Sequence, residues 1–154
     1  MWRSASKRFN DLFIELIKPV AASYAINIYF ILAVSALETS YGRSLRNNNY
    51  FGIKASHSDR RKFISRTKEF DQSKNKFITV NSCFRSYPDF NASLKDFCKL
   101  IKNKYPQCIG VTDHTVCALL QSNPKQKYST DPIYASKIES LYYIFYVLNN
   151  RSKV

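Results

Sequence analysis

The sequence predicts a mainly helical α+β fold, in which helices surround one buried apolar helix and a small β-hairpin forms a lobe beside them. Residues 28–41 are almost entirely apolar, as expected of a helix that is buried on all sides. Residues 63–70 and 77–84 are rich in branched and aromatic side chains and flank a polar segment, as expected of a hairpin. A chain of 154 residues is long enough for one core, so we predict a single domain, 1–154, with its core at about 9–148.

The first two helices follow from the spacing and density of apolar residues. Steps of three and four residues predict an amphipathic first helix, built on Phe9, Leu12, Phe13, Leu16, Ile17 and Val20. The apolar run 28–41 is the second helix, and Gly42 is its predicted C-terminal cap. Residues 20–37 have the length of a membrane span, but they include several polar side chains and lead directly into Glu38. We therefore predict a buried core helix and no membrane span.

Polar segments divide the remainder of the chain into further elements. Residues 47–50 are predicted as a loop, and residues 71–76 as the turn of the hairpin. Capping residues predict three later helices. The first starts at Asn91 or Ser93, runs through Lys104 and buries Leu94, Phe97, Cys98 and Ile101; the second runs from Thr112 or Asp113 to Gln121; the third runs from Asp131 and Pro132 to about Asn149.

The formal net charge of +13 predicts an anionic partner. Residues 43–76 hold ten Lys and Arg against three acids, whereas residues 19–42 hold neither Lys nor Arg. The candidate partners are nucleic acid, an anionic membrane surface and an acidic polymer such as bacterial cell wall. The apolar and aromatic content excludes a charged disordered tail, and the low glycine and proline content excludes a collagenous or low-complexity chain.

The cysteines and histidines predict neither a metal site nor a thiol-based active site. No pair has the two-residue spacing of a zinc knuckle or redox motif among the four cysteines, Cys83, Cys98, Cys108 and Cys117. We predict free thiols rather than disulfides, and no metal or cofactor. His57 and His114 lie in loop or cap contexts, and no local motif joins either of them to a cysteine.

Glu38 is the most informative acid in the chain, because it follows seven residues with no formal charge and lies in the last turn of the most apolar helix. Poor solvation and the negative end of the helix dipole both favour the protonated carboxyl there. A general acid needs that form at neutral pH. The alternative is a surface glutamate that ends the helix and pairs with Arg43 or Arg46.

Six segments of the sequence together resemble one known family. They are 33–42 (AVSALETSYG), 48–55 (NNYFGIKA), 67–70 (TKEF), 84–87 (FRSY), 93–97 (SLKDF) and 128–135 (YSTDPIYA). In this order they resemble the bacterial cell-wall glucosaminidases of glycoside hydrolase family 73, which include flagellar rod-assembly hydrolases, autolysins and phage lytic enzymes. The resemblance covers roughly residues 9–148.

This resemblance implies a lysozyme-like fold and hydrolysis of the β-1,4 bond between N-acetylglucosamine and N-acetylmuramic acid in peptidoglycan. Glu38 falls on the catalytic acid of the family, and Glu69, on the first hairpin strand, falls on its second carboxylate. Glycoside hydrolysis generally needs such a pair. The alternative for Glu69 is an exposed strand residue in a basic lobe, in which case Asp71 is the next candidate for the second carboxylate.

Five further residues are predicted to contact the sugar. Tyr41 stands where the family often has tryptophan, which keeps an aromatic surface but alters the details of stacking. Asn48, Asn49 and Tyr50 lie in the loop after the catalytic helix, where amides can bond sugar hydroxyls and acetamido groups. Tyr128 matches a family tyrosine near the acid, and the alternative is a half-buried tyrosine that fixes the last helix.

The predicted partners are the glycan strands of peptidoglycan, together with other virion or cell-wall assembly proteins, and no specific nucleic acid. We expect no secretory signal peptide at the basic N-terminus, which favours a phage enzyme that acts in the bacterial cell wall or periplasm; the alternative is a bacterial protein exported by another route. One rival is a lysozyme or lytic transglycosylase that cuts the other glycosidic bond. The second rival is a non-enzymatic basic protein that binds nucleic acid or cell wall.

Overall fold

The computed structural model describes residues 2–151, with side chains from residue 4 onward. In chain order the elements are α1 (Trp2–Tyr24), α2 (Ile28–Thr39), β1 (Lys62–Asp71), β2 (Lys76–Arg85), α3 (Phe90–Lys104), a short 3-10 helix (Pro106–Cys108), α4 (Val116–Leu119) and α5 (Tyr134–Asn150). The fold is therefore mainly helical with one two-stranded antiparallel sheet, which confirms the predicted class.

Helix α2 is the centre of the core, as predicted. Its residues 30–36 are all buried, and the helix packs against α1 and α5. The Asn27 side chain caps its N-terminus by accepting hydrogen bonds from the backbone N–H groups of Tyr29 and Phe30, at 2.9 and 3.4 Å. The predicted end at Tyr41 with a Gly42 cap is wrong, because Ser40, with φ +48°, already takes the left-handed capping conformation.

Helix α1 is longer than predicted and buries a different stripe of side chains. Phe9, Ile14, Ile17 and Ala21 face the core, whereas Leu12 and Leu16 of the predicted inner face are 62% and 53% exposed. The run 20–37 is divided between α1 and α2 by a turn in which Ala25 has φ +55°. Within residues 2–151, no helix is both long and apolar enough to cross a membrane.

The β-hairpin agrees with the prediction to within one residue at each end. Glu69 lies opposite Ile78, and Asp71 lies opposite Lys76 beside the turn. The hairpin joins the helical body through residues 53–55, because the Arg85 N–H donates to the Ile53 carbonyl at 3.0 Å and the Ala55 N–H donates to the Cys83 carbonyl at 2.8 Å. These hydrogen bonds fix the position of the hairpin beside the end of α2.

The three later helices exist, but their first residues differ from those predicted. Asp89, not Asn91 or Ser93, caps α3 by accepting the Ala92 N–H at 2.8 Å. The predicted buried face of α3 is confirmed. Helix α4 begins only at Val116, after a turn in which Asp113 accepts the Thr115 N–H at 3.0 Å. Helix α5 begins at Tyr134 rather than after Asp131, because residues 131–133 form a preceding turn.

The four cysteines are free thiols. Cys98, Cys108 and Cys117 are buried, and this burial raises the pKa of each thiol to about 12. The three side chains therefore act as small apolar groups of the core.

Candidate active site

A cleft of about 580 Å³ lies between the hairpin and the helical body. Its walls come from the last turn of α2, residues 52–54, strand β1, the end of α3 and the loop 124–130. Glu38 and Glu69 both line it, so the structure brings the two predicted carboxylates into one cavity.

Glu38 reaches the cleft from the last turn of α2. The buried Tyr134 donates its hydroxyl hydrogen to Glu38 Oε1 at 2.7 Å, which fixes the orientation of the carboxyl. Tyr134 lies 96 residues further along the chain, at the first turn of α5. Burial and the nearby Glu38 raise the pKa of Tyr134 well above its usual range, so the phenol remains a donor.

Gly52 lies against the other side of this carboxyl. Its φ of +66° favours glycine, and a Cβ atom placed there would lie 2.9 Å from Glu38 Cδ and would collide with Oε2. The Glu38 carboxyl therefore lies between the backbone of Gly52 and the hydroxyl of Tyr134.

This environment favours the protonated form of the Glu38 carboxyl. Burial raises its pKa from an ordinary value of 4.5 to about 7, although the Tyr134 hydrogen bond partly offsets this effect. The negative charge of Glu69 also raises the pKa, and the ammonium of Lys54 lowers it. The protonated carboxyl is consequently available at neutral pH.

Glu69 projects from β1 and is held by two donors. Lys54 Nζ lies 2.6 Å from Oε1, and the Thr130 hydroxyl donates to Oε2 at 2.7 Å. Thr130 Oγ1 also accepts the N–H of Phe70 at 3.0 Å. Each Glu69 oxygen therefore has a fixed partner, and Thr130 joins the loop before α5 to the hairpin.

Tyr128 lines the cleft, but its hydroxyl is already used. It donates to the backbone carbonyl of Phe51, immediately before Gly52. Its ring lies 5.9 Å, centroid to centroid, from the ring of Tyr134. Tyr128 thus supports both the Gly52 backbone and the Tyr134 ring, and only part of its surface remains for a sugar.

Tyr41 and Tyr50 are not among the residues that line the cleft. The Tyr41 hydroxyl accepts a hydrogen bond from Ser6 of α1 at 3.1 Å. The Tyr50 ring packs edge-on against Phe13 and Phe90, at 5.4 and 4.8 Å between centroids. Both rings join the loop after α2 to neighbouring helices.

Asn48 and Asn49 likewise stabilise the scaffold and lie outside the cleft lining. The buried Asn49 amide donates to the carbonyls of Ile53 and Arg85, both at 2.9 Å, and its oxygen accepts the Ile53 N–H at 3.1 Å. Asn48 Nδ2 donates to the carbonyls of residues 87 and 88. These amides hold residues 49–53 against β2, and so they position Gly52.

Asp71, the reserve candidate for the second carboxylate, belongs to the hairpin turn and does not line the cleft. Its Oδ1 accepts the backbone N–H groups of Ser73 and Lys74 at 2.9 and 3.2 Å. A further hydrogen bond from the Ser73 hydroxyl is the largest cause of the lowered pKa of Asp71.

Four further residues shape the site, namely Gly52, Lys54, Thr130 and Tyr134; the sequence suggested a turn or a close approach of the backbone at Gly52 and assigned no role to the other three. All four lie inside the segments that carry the family resemblance. Their contacts join positions from 14 to 96 residues apart, so no local pattern displays them. Among residues 2–151, no group of three or more His, Cys, Asp or Glu side chains is placed to hold a metal ion.

A carboxyl with a pKa near 7 and a second carboxylate in the same open cleft form the arrangement used by glycoside hydrolases. The sequence agrees with this class, because residues 14–146 match the glucosaminidase family model, described as mannosyl-glycoprotein endo-beta-N-acetylglucosaminidase. The chain belongs to this glucosaminidase family.

Known proteins support the same assignment. The peptidoglycan hydrolase FlgJ of Vibrio cholerae is 28% identical over 138 residues, which cover 82% of this chain and 41% of that protein. A peptidoglycan hydrolase mutant from Sphingomonas sp. A1 superposes with a TM-score of 0.81 at 26% identity, covering 96% of this chain and 98% of the other. The catalytic domain of the Listeria monocytogenes autolysin Auto gives 0.74 at 26% identity, covering 94% and 86%. The chain spans less than half the length of the sequence relatives that it matches.

Proposed function

We propose that the chain is an endo-β-N-acetylglucosaminidase that hydrolyses the β-1,4 bond between N-acetylglucosamine and N-acetylmuramic acid in peptidoglycan. The observation that carries the proposal is the Glu38 carboxyl, enclosed by Gly52 and Tyr134 and open to the cleft that also contains Glu69. Membership in the glucosaminidase family and similarity to peptidoglycan hydrolases support the choice of substrate.

In this reaction Glu38 is the general acid. Its protonated carboxyl donates a proton to the glycosidic oxygen while the bond from that oxygen to the anomeric carbon breaks. The hydrogen bond from Tyr134 fixes the orientation of the Glu38 carboxyl, so the proton is delivered in a fixed direction. The backbone of Gly52 packs against the Glu38 carboxyl and excludes water from one side of it, which maintains the raised pKa of Glu38.

We assign to Glu69 the second carboxylate role. Its negative charge stabilises the oxocarbenium-like charge on the sugar or activates the water that attacks the anomeric carbon. Lys54 and Thr130 hold both of its oxygens, so the group is already oriented before substrate binds. The alternative is that the N-acetyl group of the substrate attacks the anomeric carbon, in which case Glu69 activates no water for that step and contributes only its negative charge.

The proposed place of action is the bacterial cell wall, which contains the substrate. Other cell-wall or virion assembly proteins remain predicted partners. A phage source also stays a prediction, since the relatives named above come from bacteria.

The direct test is a cell-wall zymogram of the wild type, Glu38→Gln and Glu15→Gln. Glu15 is an exposed residue of α1 that pairs with Lys18, and it serves as a control of equal charge change. We expect clearing by the wild type and the control, and a loss of about a thousandfold or more for Glu38→Gln. Undiminished clearing by Glu38→Gln would contradict the assigned acid.

Analysis of the digested wall identifies the bond. A new reducing end at N-acetylglucosamine is expected, whereas reducing-end muramic acid or anhydromuramic acid identifies a lysozyme or lytic transglycosylase. Tight binding of duplex DNA without any cleavage of peptidoglycan would instead favour the non-enzymatic rival.

A further inference from the structure

Four lysines line the cleft around the two carboxylates. Lys68 comes from β1, Lys104 from the last turn of α3, and Lys125 and Lys127 from the loop before α5. All four are exposed at the rim. We call them the cleft lysines.

The cleft lysines have no anionic partner within the described part of the chain. Among residues 2–151, none of their ammonium groups makes a hydrogen bond or an ion pair, whereas the other two cations of the lining are neutralised. Lys54 pairs with Glu69, and Arg85 pairs with Asp59 and Asp96. Four like charges around one concave surface therefore produce a positive potential that an anion would relieve.

The segment that carries Lys125 and Lys127 is anchored at its far end. Gln121 donates to the Ser129 carbonyl at 2.8 Å and accepts the Ser129 N–H at 3.0 Å. Thr130 then joins this segment to β1. The two lysines are thus presented by an anchored loop and line the same cleft as Lys68 of the hairpin.

A neutral glycan offers no anionic group to the cleft lysines. In peptidoglycan the sugars offer hydroxyl and acetamido groups, and the negative charge lies on the carboxylates of the peptides attached to muramic acid. On the basis of the proposed function, we infer that the cleft lysines bind the carboxylates of these stem peptides. They make the acidic, peptide-bearing glycan the preferred substrate over the bare glycan.

The test compares two triple variants of equal net charge. Lys104→Gln/Lys125→Gln/Lys127→Gln removes three cleft lysines, and Lys74→Gln/Lys76→Gln/Lys102→Gln removes three exposed lysines outside the cleft lining. Kinetics are measured on soluble, uncrosslinked peptidoglycan chains that have been freed of teichoic acid. The first variant should show a KM raised about tenfold with kcat within about twofold, as expected for three screened ion pairs, and the control should match the wild type.

The second arm removes the charge from the substrate. The same chains are treated with a carbodiimide and ammonia, which converts their carboxylates into amides. The wild type should then show the raised KM of the cleft variant, and the cleft variant should be insensitive to the treatment. Equal KM values for the wild type on both substrates, or an equal loss in the control variant, would overturn the inference.

The third arm distinguishes carboxylates from the phosphodiesters of teichoic acid, which carry the same charge. If intact walls are preferred and removal of teichoic acid abolishes the difference between the variants, the lysines bind phosphate and the inference is wrong. Failure of the proposed function gives a different result, because the wild type would then cleave none of these substrates.

Discussion

The backbone of Gly52 approaches the Glu38 carboxyl so closely that the position has no space for a side chain. Gly52→Ala should therefore push the carboxyl away from its place in the cleft. Displacement of a reacting group by about 1 Å costs roughly a hundredfold in rate, and we expect kcat/KM to fall by about that factor. The measurement is wall-lysis kinetics with the melting temperature recorded in parallel.

Gly110→Ala is the matched control for this variant. Gly110 also has a positive φ, +77°, but a Cβ atom there would meet nothing within 4 Å. Both substitutions introduce backbone strain of about 1–2 kcal/mol, and only Gly52→Ala adds a collision. Full activity in Gly52→Ala, or an equal loss in Gly110→Ala, would contradict the assigned role of Gly52.

Tyr134 adjusts the acidity of Glu38 as well as its position. Its hydrogen bond stabilises the ionised carboxylate and lowers the pKa of Glu38, so Tyr134→Phe should raise that pKa further. Because the proposed reaction uses the protonated form, the alkaline limb of kcat/KM should move upward by about one pH unit. A pH–rate profile checks this, and an unchanged or acid-shifted limb would contradict it.

At the scale of elements, Thr130 connects the loop before α5 to the hairpin. Thr130→Val keeps the shape of the side chain but removes the donor to Glu69 and the acceptor for the Phe70 N–H. We expect kcat to fall about tenfold with a smaller change in KM, since Glu69 loses its orientation rather than its charge.

Thr130→Ser tests whether the hydroxyl is the reason, because serine restores both hydrogen bonds without the methyl group. Most of the kcat should return in this variant. If valine and serine behave alike, Thr130 contributes only packing, and the link between loop and hairpin does not position Glu69.

The identity of the elements was predictable from the sequence, but several of their ends were not. Runs of branched and aromatic residues located the hairpin, and an unbroken apolar run located the buried α2, because these signals are local. The end of α2 was misplaced because Ser40 adopts a left-handed conformation that sequence reasoning reserves for Gly42. The inner face of α1 was misjudged because an apolar residue such as Leu12 does not reveal which neighbour it meets.

The candidate site was predictable only in part. Glu38 was proposed from its apolar surroundings and Glu69 from the family resemblance, and both line one cleft, whereas Tyr134 became apparent only through a contact that spans 96 residues. Asn49 shows the converse difficulty. A polar side chain in a loop suggests ligand binding, but this amide is buried and bonds to the backbone.

At the scale of the whole molecule, the net charge of +13 should make binding to peptidoglycan, the proposed substrate, depend on salt. Peptidoglycan is anionic, so salt screens the attraction, with a Debye length of about 8 Å at 0.15 M and about 3 Å at 1 M. We expect the lysis rate to fall by about tenfold between 0.05 and 0.5 M NaCl. Turbidity assays check this.

Walls that have been freed of teichoic acid and whose carboxyl groups have been amidated are the control for the salt experiment. Their digestion should change by less than about twofold over the same range of salt, since the attraction is already absent. An equal salt effect on both walls would show that ionic strength acts on the protein itself.

The enclosed carboxyl of Glu38 also links the stability of the fold to pH. The folded chain holds this proton up to about pH 7, whereas the unfolded chain releases it near pH 4.5. The free energy of unfolding should therefore decrease as pH rises through this window, and that of Glu38→Gln should exceed that of the wild type by roughly 3 kcal/mol at pH 8 but not at pH 4. Urea unfolding at both pH values tests this difference. Above neutral pH the ionised Glu38 carboxylate therefore destabilises the native state. A substitution that removes this proposed catalytic acid should abolish activity and raise the free energy of unfolding.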